Sequence, residues 1–383
     1  MAALDGLLVA DFTRVLAGPY ATMLLADLGA TVVKVERPGA GDDTRAWGPP
    51  FAADGQSTYF QAVNRNKLSI ALDLRDRADV AVAQDLAVQC DVLVENHKPG
   101  GLRRFGLDHA AVAARNPGVV YCSISGFGAG TGADLPGYDL LVQAMGGLMS
   151  VTGVTEPTKA GVAVVDVLTG LHAAVAILAA LRHRDHGGAG QYLEVTLLGA
   201  LLSSLVNQSS AYVGAGVVPG LMGNAHPSIA PYEVFATADR PMVIAVGNDA
   251  QFARLVGVIG SPDLADRDEY RTNTARVAHR KELKAEMEAL LAARGADGWQ
   301  SALTAAGVPC GPINDIAHGI ALAAGLGLDP VVALADPRRA HPVQQVANPV
   351  RYSRTPAVYR SAPPTVGEDR EQVLGLLRGR SGR

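Results

Sequence analysis

Short runs of apolar and β-branched residues alternate with helical periods through the first half of the chain. Residues 7–11, 31–36, 69–72, 91–95 and 119–125 have the length and composition of strands, and residues 20–28, 78–89 and 138–148 read as helices. Strand and helix in alternation predict βαβ units and a parallel, doubly wound sheet, an α/β fold. Ligands of such sheets bind beyond the C-terminal strand ends, so the loops after the strands are the place to look for function.

The texture changes beyond about residue 206. Residues 214–231 are rich in Gly and Pro and read as a connection, 241–247 as a strand, and 280–294 as one of several charged helices. From about residue 324 the chain is Pro-rich and irregular until a final helix near 368–377. So long an irregular stretch is better read as a strap than as a loop inside one lobe. The division expected is a large domain over 1–207, a linker over 208–228, a smaller α/β domain over 229–325 and a return segment over 326–383.

One position breaks the apolar pattern. Asp166 is the only charged residue between Lys159 and Arg182. Burying an ionised carboxylate without partners is costly, so such a group is paired, capping, protonated or functional. One reading makes Asp166 the cap of the helix that starts there, its side chain taking first-turn N–H groups. The other keeps that place and adds a nucleophile, held ionised by the helix N-terminus and stripped of water by apolar walls. The same segment is long and apolar enough to raise a membrane span. Asp166, Thr169, Gly170 and His172 within it favour a buried helix.

Bulk properties narrow the field. The chain has 383 residues, 48% hydrophobic and 18% charged, with mean hydropathy +0.15, as expected of a globular protein with a large core. A net charge of −4 and a pI near 6.1 argue against nucleic-acid binding. Cys90, Cys122 and Cys310 are too few and too far apart for a disulfide framework or a zinc site, which predicts a cytoplasmic protein without a metal. No signal peptide is read at the N-terminus.

The loops after the strands carry the chemistry. Residues 13–19 follow the first strand and lead into a helix, residues 36–43 follow the second, and Asn96, His97 and Lys98 follow the fourth, with Arg103 and Arg104 a turn later. Basic groups and backbone N–H donors at one sheet edge suit a phosphate-bearing ligand. The glycine-rich stretch 125–132 has the look of a dinucleotide fingerprint, but no helix starts directly after it and no acidic residue follows at the right distance. It reads as a flexible loop over the site.

Several short motifs, in this order and spacing, resemble the class III CoA-transferases (CaiB/BaiF family). They include Asp11-Phe12-Thr13, Glu36-Arg37-Pro38-Gly39, Asn64-Arg65-Asn66-Lys67, Val94-Glu95-Asn96, Gly137-Tyr138-Asp139, Asp166 and Gly311-Pro312-Ile313-Asn314. The resemblance implies a Rossmann-like large domain with a smaller α/β domain, the chain forming a ring that interlocks with a second copy in a homodimer. It implies acyl-CoA and a small carboxylic acid as substrates, and Asp166 as the carboxylate that attacks the thioester. Leu16, Ala17 and Gly18 become candidates for the loop facing the developing oxyanion. Arg37, Arg75, Lys98 and Arg104 become candidates for the CoA phosphates, and Leu72, Asn96 and His97 for the adenine and pantetheine path.

Tyr138 bears on the reaction type. The racemase branch of the family carries a histidine at this place, and a tyrosine, with an ordinary pKa near 10, is a poor substitute for an acid/base at neutral pH. Transfer is therefore favoured over racemisation, with an α-methylacyl-CoA isomerase and a non-catalytic CoA-binding protein as the alternatives. The stretch 223–227 lacks the glycine loop of the formate/oxalate branch. Residues 225–232, 246–249 and 307–314 look more like the dicarboxylate, succinyl-CoA-using branch. His226 either pairs with a substrate carboxylate or caps a turn.

Overall fold

The computed structural model describes residues 1–381. Its main sheet has six strands: β1 (Leu8–Phe12), β2 (Thr31–Glu36), β3 (Lys67–Ala71), β4 (Val92–Glu95), β5 (Val120–Ser125) and β6 (Gln191–Thr196). The spatial order is 3-2-1-4-5-6 and every pairing is parallel. The order reverses direction between β1 and β4, and at such a switch point the loops diverge and leave a crevice. β6 was not anticipated: its residues 191–194 are exposed or half-buried, so it lacks the apolar run that marks the inner strands.

Alternation along β1 feeds two cores. Leu8, Ala10 and Phe12 join Ala83, Leu86 and Ala87 of helix Arg77–Gln89 and Val373 of helix Arg370–Ser381. Val9 joins Ala21 and Leu25 of helix Ala17–Asp27 and Ala173 and Ile177 of helix Val164–Gly187. That long helix buries one face only, since Leu171 and Val175 stay exposed on it. Gly170 sits where the two helices touch: a Cβ there would stand 2.6 Å from the Ala17 carbonyl oxygen. Glycine thus lets the N-terminal end of the long helix close on the start of the first one. Asp166, four residues earlier and so on the same face, is carried towards residues 16–17.

By contacts the chain forms two compact units. The first comprises Met1–Leu148, Ala160–Val217 and Gly327–Arg383, and the second Met149–Lys159 and Val218–Leu326. The sequence reading ran the first body unbroken to 207. Residues 149–159 instead belong to the second, tied there by the Gly223 N–H on the Gly153 carbonyl at 2.9 Å. In the second unit, strands β7 (Tyr232–Phe235), β8 (Met242–Ala245) and β9 (Cys310–Pro312) form an antiparallel sheet. Phe235, Met242 and Ile244 pack with Phe252, Leu255, Met287, Trp299 and Leu303 of its helices. Residues 207–215, expected to lie mostly in a connection, form a helix. The return segment is less irregular than expected. It holds a hairpin of β10 (Val331–Leu334) and β11 (Val343–Val346), whose short strands are separated by a loop that hides their period.

Candidate active site

A cavity of about 410 Å³ opens at the C-terminal ends of β1, β4 and β5. Asp166, Tyr138, Arg14, Val15, Leu16, Ala17, Asn96, His97 and Lys98 line it, with Ile124, Phe127, Leu135 and Leu197 as apolar wall. Asp166 is half-buried and has no side-chain partner for its charge among the described residues. Burial first, and the charge of Asp139 second, push its carboxyl up to about 7. The helix start was expected to favour the ionised form; it does not offset burial, and the group is harder to ionise than an ordinary carboxylate. The cap reading is corrected too: the helix begins at Val164, and Asp166 lies inside its first turn.

The cap comes from elsewhere in the chain. Asp139 Oδ1 accepts the N–H of Val165 at 2.8 Å and of Asp166 at 3.2 Å. Its Oδ2 accepts from Gln143 Nε2 at 2.6 Å, and the buried Gln143 in turn accepts the Ala160 N–H at 2.8 Å. Two side chains of helix Asp139–Met145 therefore hold the chain that enters the Asp166 helix.

The loop after β1 is held more tightly still. Asp11 Oδ1 accepts the Thr13 N–H and Lys34 Nζ donates to the Thr13 carbonyl, both at 2.9 Å. The Asn96 amide grips Arg14 at both its N–H (2.9 Å) and its carbonyl (2.7 Å), and Asp42 Oδ1 accepts the Val15 N–H at 3.3 Å. Val15 sits at φ +72°, a left-handed conformation that costs a β-branched residue about 1–3 kcal/mol and persists only where the surroundings impose it. The imposing charges are buried. Lys34 pairs with Asp42 at 2.8 Å and Lys67 with Asp11 at 3.0 Å, with all four side chains sealed from solvent. Burial opposes the Asp11 carboxylate, yet Lys67 and Lys34 outweigh it and hold the group at about 2.

A second cavity, about 740 Å³, adjoins the first through shared Arg14, His97 and Lys98. Arg37, Arg75, Arg104 and Leu72 line it, together with Phe12 and Phe105. The cations are engaged by carboxylates at the surface, two half-buried and one exposed: Arg37 with Asp43 at 2.5 Å, Arg75 with Asp73 at 2.9 Å and Lys98 with the exposed Asp134 at 2.7 Å. Surface pairs of this kind are worth at most about 1 kcal/mol and yield readily to a phosphate. His97 is held neutral: burial first and Arg14 second bring its ring down to about 4. Its backbone N–H donates to the buried Glu95 at 2.7 Å.

A family model described as CoA-transferase family III matches residues 4–370. The chain belongs to the family III CoA-transferases. The succinate–glutarate CoA-transferase of Agrobacterium fabrum is 43% identical, over 98% of this chain and 95% of that one. The acetyl-CoA:oxalate CoA-transferase of Acetobacter aceti is 42% identical over 82% of this chain and 81% of its own. Among solved structures, a CAIB/BAIF family protein from Brucella suis superposes with a TM-score of 0.87 at 40% identity, covering 98% of this chain and 99% of that one.

In this CoA-transferase the residues singled out from sequence divide three ways. Asp166, Tyr138, Leu16, Ala17, Asn96, His97 and Lys98 meet in the first cavity, and Arg37, Leu72, Arg75, Arg104, His97 and Lys98 in the second. Gly18 is buried beneath the loop, where a Cβ would collide with Thr13 at 2.4 Å. Asn96 reaches the cavity, but its amide is spent on the Arg14 backbone. His226 lies in the second unit, its Nδ1 accepting the Ser228 N–H at 3.1 Å across a turn, which is the turn-capping alternative. The stretch 125–132 continues into the cavity wall, and Gly126 and Gly137 pass so closely that a Cβ on Gly126 would stand 2.5 Å from the Gly137 Cα.

Asp11, Lys67 and Asp139 stand in the motifs that carry the family resemblance, and Arg14 in the loop after the first strand, but sequence reasoning assigned no role to them, to Gln143, or to the Asp11–Lys67 and Asp42–Lys34 pairs. The signal for the last was present, because Asp11, Lys34 and Lys67 interrupt otherwise apolar strands and a buried charge in a strand demands a partner.

Proposed function

We propose that this CoA-transferase moves CoA from succinyl-CoA to a dicarboxylic acid through covalent intermediates on Asp166. Asp166 Oδ attacks the thioester carbonyl, and the C–S bond breaks to give a mixed anhydride and CoA thiolate. The thiolate then attacks the aspartyl carbonyl, releasing succinate and leaving an aspartyl-CoA thioester. The acceptor carboxylate displaces CoA from that thioester, forming a second anhydride. Thiolate attack on the acceptor carbonyl completes the product and frees Asp166. Each step trades one acyl bond for another and needs no outside oxidant, reductant or proton.

The observation that carries this reading is a half-buried carboxylate, unpaired with any cation among the described residues, that shares a cavity with the start of helix Ala17–Asp27. At about 7 its carboxyl is substantially ionised near neutral pH, yet more nucleophilic than an ordinary carboxylate. The Ala17 N–H has no hydrogen-bond partner among the described residues, and a free first-turn N–H in the cavity lining suits a developing oxyanion. The adjoining cavity, with Arg37, Arg75 and Arg104, suits the nucleotide end of CoA. The dicarboxylate follows from relatives that act on glutarate and on oxalate.

Strand order 3-2-1-4-5-6 supports reading the first unit as Rossmann-like, and the same reading takes the protein to be a cytoplasmic, interlocked homodimer. The deciding experiment incubates enzyme with succinyl-CoA, adds hydroxylamine or borohydride, and maps the modified residue by mass spectrometry. Asp166 is expected to carry the mark, and turnover without any mark there rejects the mechanism. One observation favours a second reading: a carboxyl near 7 also suits proton transfer. Exchange of the α-proton of a 2-methylacyl-CoA in heavy water, without an acceptor acid, would be its signature.

A further inference from the structure

Within the cavity around Asp166 one cation stands apart. Lys98 is exposed and paired with the still more exposed Asp134, and His97 is neutral. Arg14 is built in: Asn96 clamps both sides of its backbone, and its neighbours Thr13 and Val15 are tied to buried charges. Among the described residues its guanidinium is engaged on one corner, Nη1 donating to Asp43 at 3.1 Å. Asp43 shares its other oxygen with Arg37 at 2.5 Å, so a single carboxylate serves two cations and leaves an excess positive charge. Arg14 Nε is sealed from solvent without a hydrogen-bond partner, and a buried donor in that state needs an explanation.

The geometry of the same edge elsewhere in this fold supplies one. Arg45 grips Glu36 through Nε at 2.8 Å and Nη2 at 2.6 Å, and Arg65 grips Asp27 through Nε at 2.9 Å and Nη2 at 2.6 Å. The Nε–Nη2 edge is the fork that takes a carboxylate bidentately. On Arg14 that edge has no protein partner among the described residues, and the residue lines the cavity holding Asp166. Nε is covered while the side chain pairs with Asp43, so a carboxylate in the cavity gains the fork by drawing the guanidinium off that half-exposed pair.

We propose that Arg14 is the specificity-determining residue that receives the distal carboxylate of a dicarboxylic acyl group, on the donor and then on the acceptor. This rests on the CoA-transfer reading above. In each half of the cycle one carboxyl group of the substrate is activated at Asp166 and the other stays ionised. A fork on the wall of the nucleophile's cavity selects acyl chains that end in a second carboxylate, and monocarboxylic chains leave it unpaired. Sites that leave a buried donor unpaired discriminate strongly against the ligand lacking the partner.

The test compares kcat/KM for succinyl-CoA and butyryl-CoA, which match in length and differ in the terminal carboxylate, at one fixed acceptor. Wild type is expected to prefer succinyl-CoA. In Arg14→Gln the preference ratio should fall by on the order of 30–100-fold, the loss of one charge-assisted bidentate contact. Arg14→Lys keeps the charge without the fork, so it is the variant to read if the glutamine form misfolds, with a fall of about tenfold. An unchanged ratio in a variant that still transfers CoA overturns the assignment of Arg14 alone. Wild-type enzyme that transfers from neither donor, to any acid, overturns the underlying reading and this inference together.

Discussion

Replacing Asp166 by Asn should abolish transfer and yet stabilise the fold, by an amount that depends on pH in a defined direction. Burial and Asp139 raise the carboxyl from 3.8 to about 7, so the folded protein resists ionising a group that ionises freely once unfolded. With a raised folded value, stability is fully present below the unfolded value and drains away as pH climbs towards the folded one. Without solvent screening the rise penalises the charged form by ~4 kcal/mol, at 1.36 kcal/mol per tenfold change in acidity. The side chain is half-buried, and solvent screening reduces this to about 1–3 kcal/mol. Asn has the same shape and carries no charge, so Asp166→Asn removes the penalty. Urea unfolding of the two proteins should coincide near pH 4, diverge in favour of the variant between pH 4 and 7, and stay about 1–3 kcal/mol apart above that. A variant less stable than wild type at pH 8, or a difference independent of pH, would refute the idea that Asp166 is held in an unfavourable state.

The remaining expectations probe the parts around it. For wild type, kcat/KM should rise as pH increases through about 7, because attack needs the ionised carboxylate. Asp139→Asn should move that limb to lower pH by removing the second of the two causes, and an unmoved limb would deny Asp139 any electrostatic role. Alanine at Arg37 and Arg104 together should raise KM for succinyl-CoA about tenfold or more while changing kcat by less than about threefold, the mark of lost phosphate binding remote from the reacting atoms. A fall confined to kcat would instead tie those residues to the chemistry. Asp42→Asn leaves Lys34 buried without its closest carboxylate and should cost about 3–5 kcal/mol in urea unfolding. A cost below about 1 kcal/mol would mean that the Val15 loop does not depend on that pair.

How far the sequence foretold this arrangement follows from the range of each interaction. β1, β2, β4 and β5 were legible because strands buried on both faces read as apolar runs, and helix Arg77–Gln89 because its period is local. β6 and the β10–β11 hairpin were not, since exposed edges and short strands leave too weak a pattern. Within the site the same division appears. Asp166 announced itself by standing alone in an apolar helix, and Arg37 and Arg104 by falling in loops after strands. Asp139, which helps set the state of Asp166, stood in a motif without showing its role. Asp139 caps a helix that begins 25 residues later in the chain, counting from 139 to 164, and only the assembled fold shows which helix start it reaches. Arg14 was an ordinary loop cation until Asn96, 82 positions away, was seen to fix its backbone. In the sequence, then, the nucleophile stands out as a residue out of place, while its acidity and its choice of acyl group rest on partners distant along the chain. Substitutions at Asp139, Asn96 or Asp42 should accordingly alter the pH profile or the acyl preference even where Asp166 and the phosphate-facing arginines are left intact.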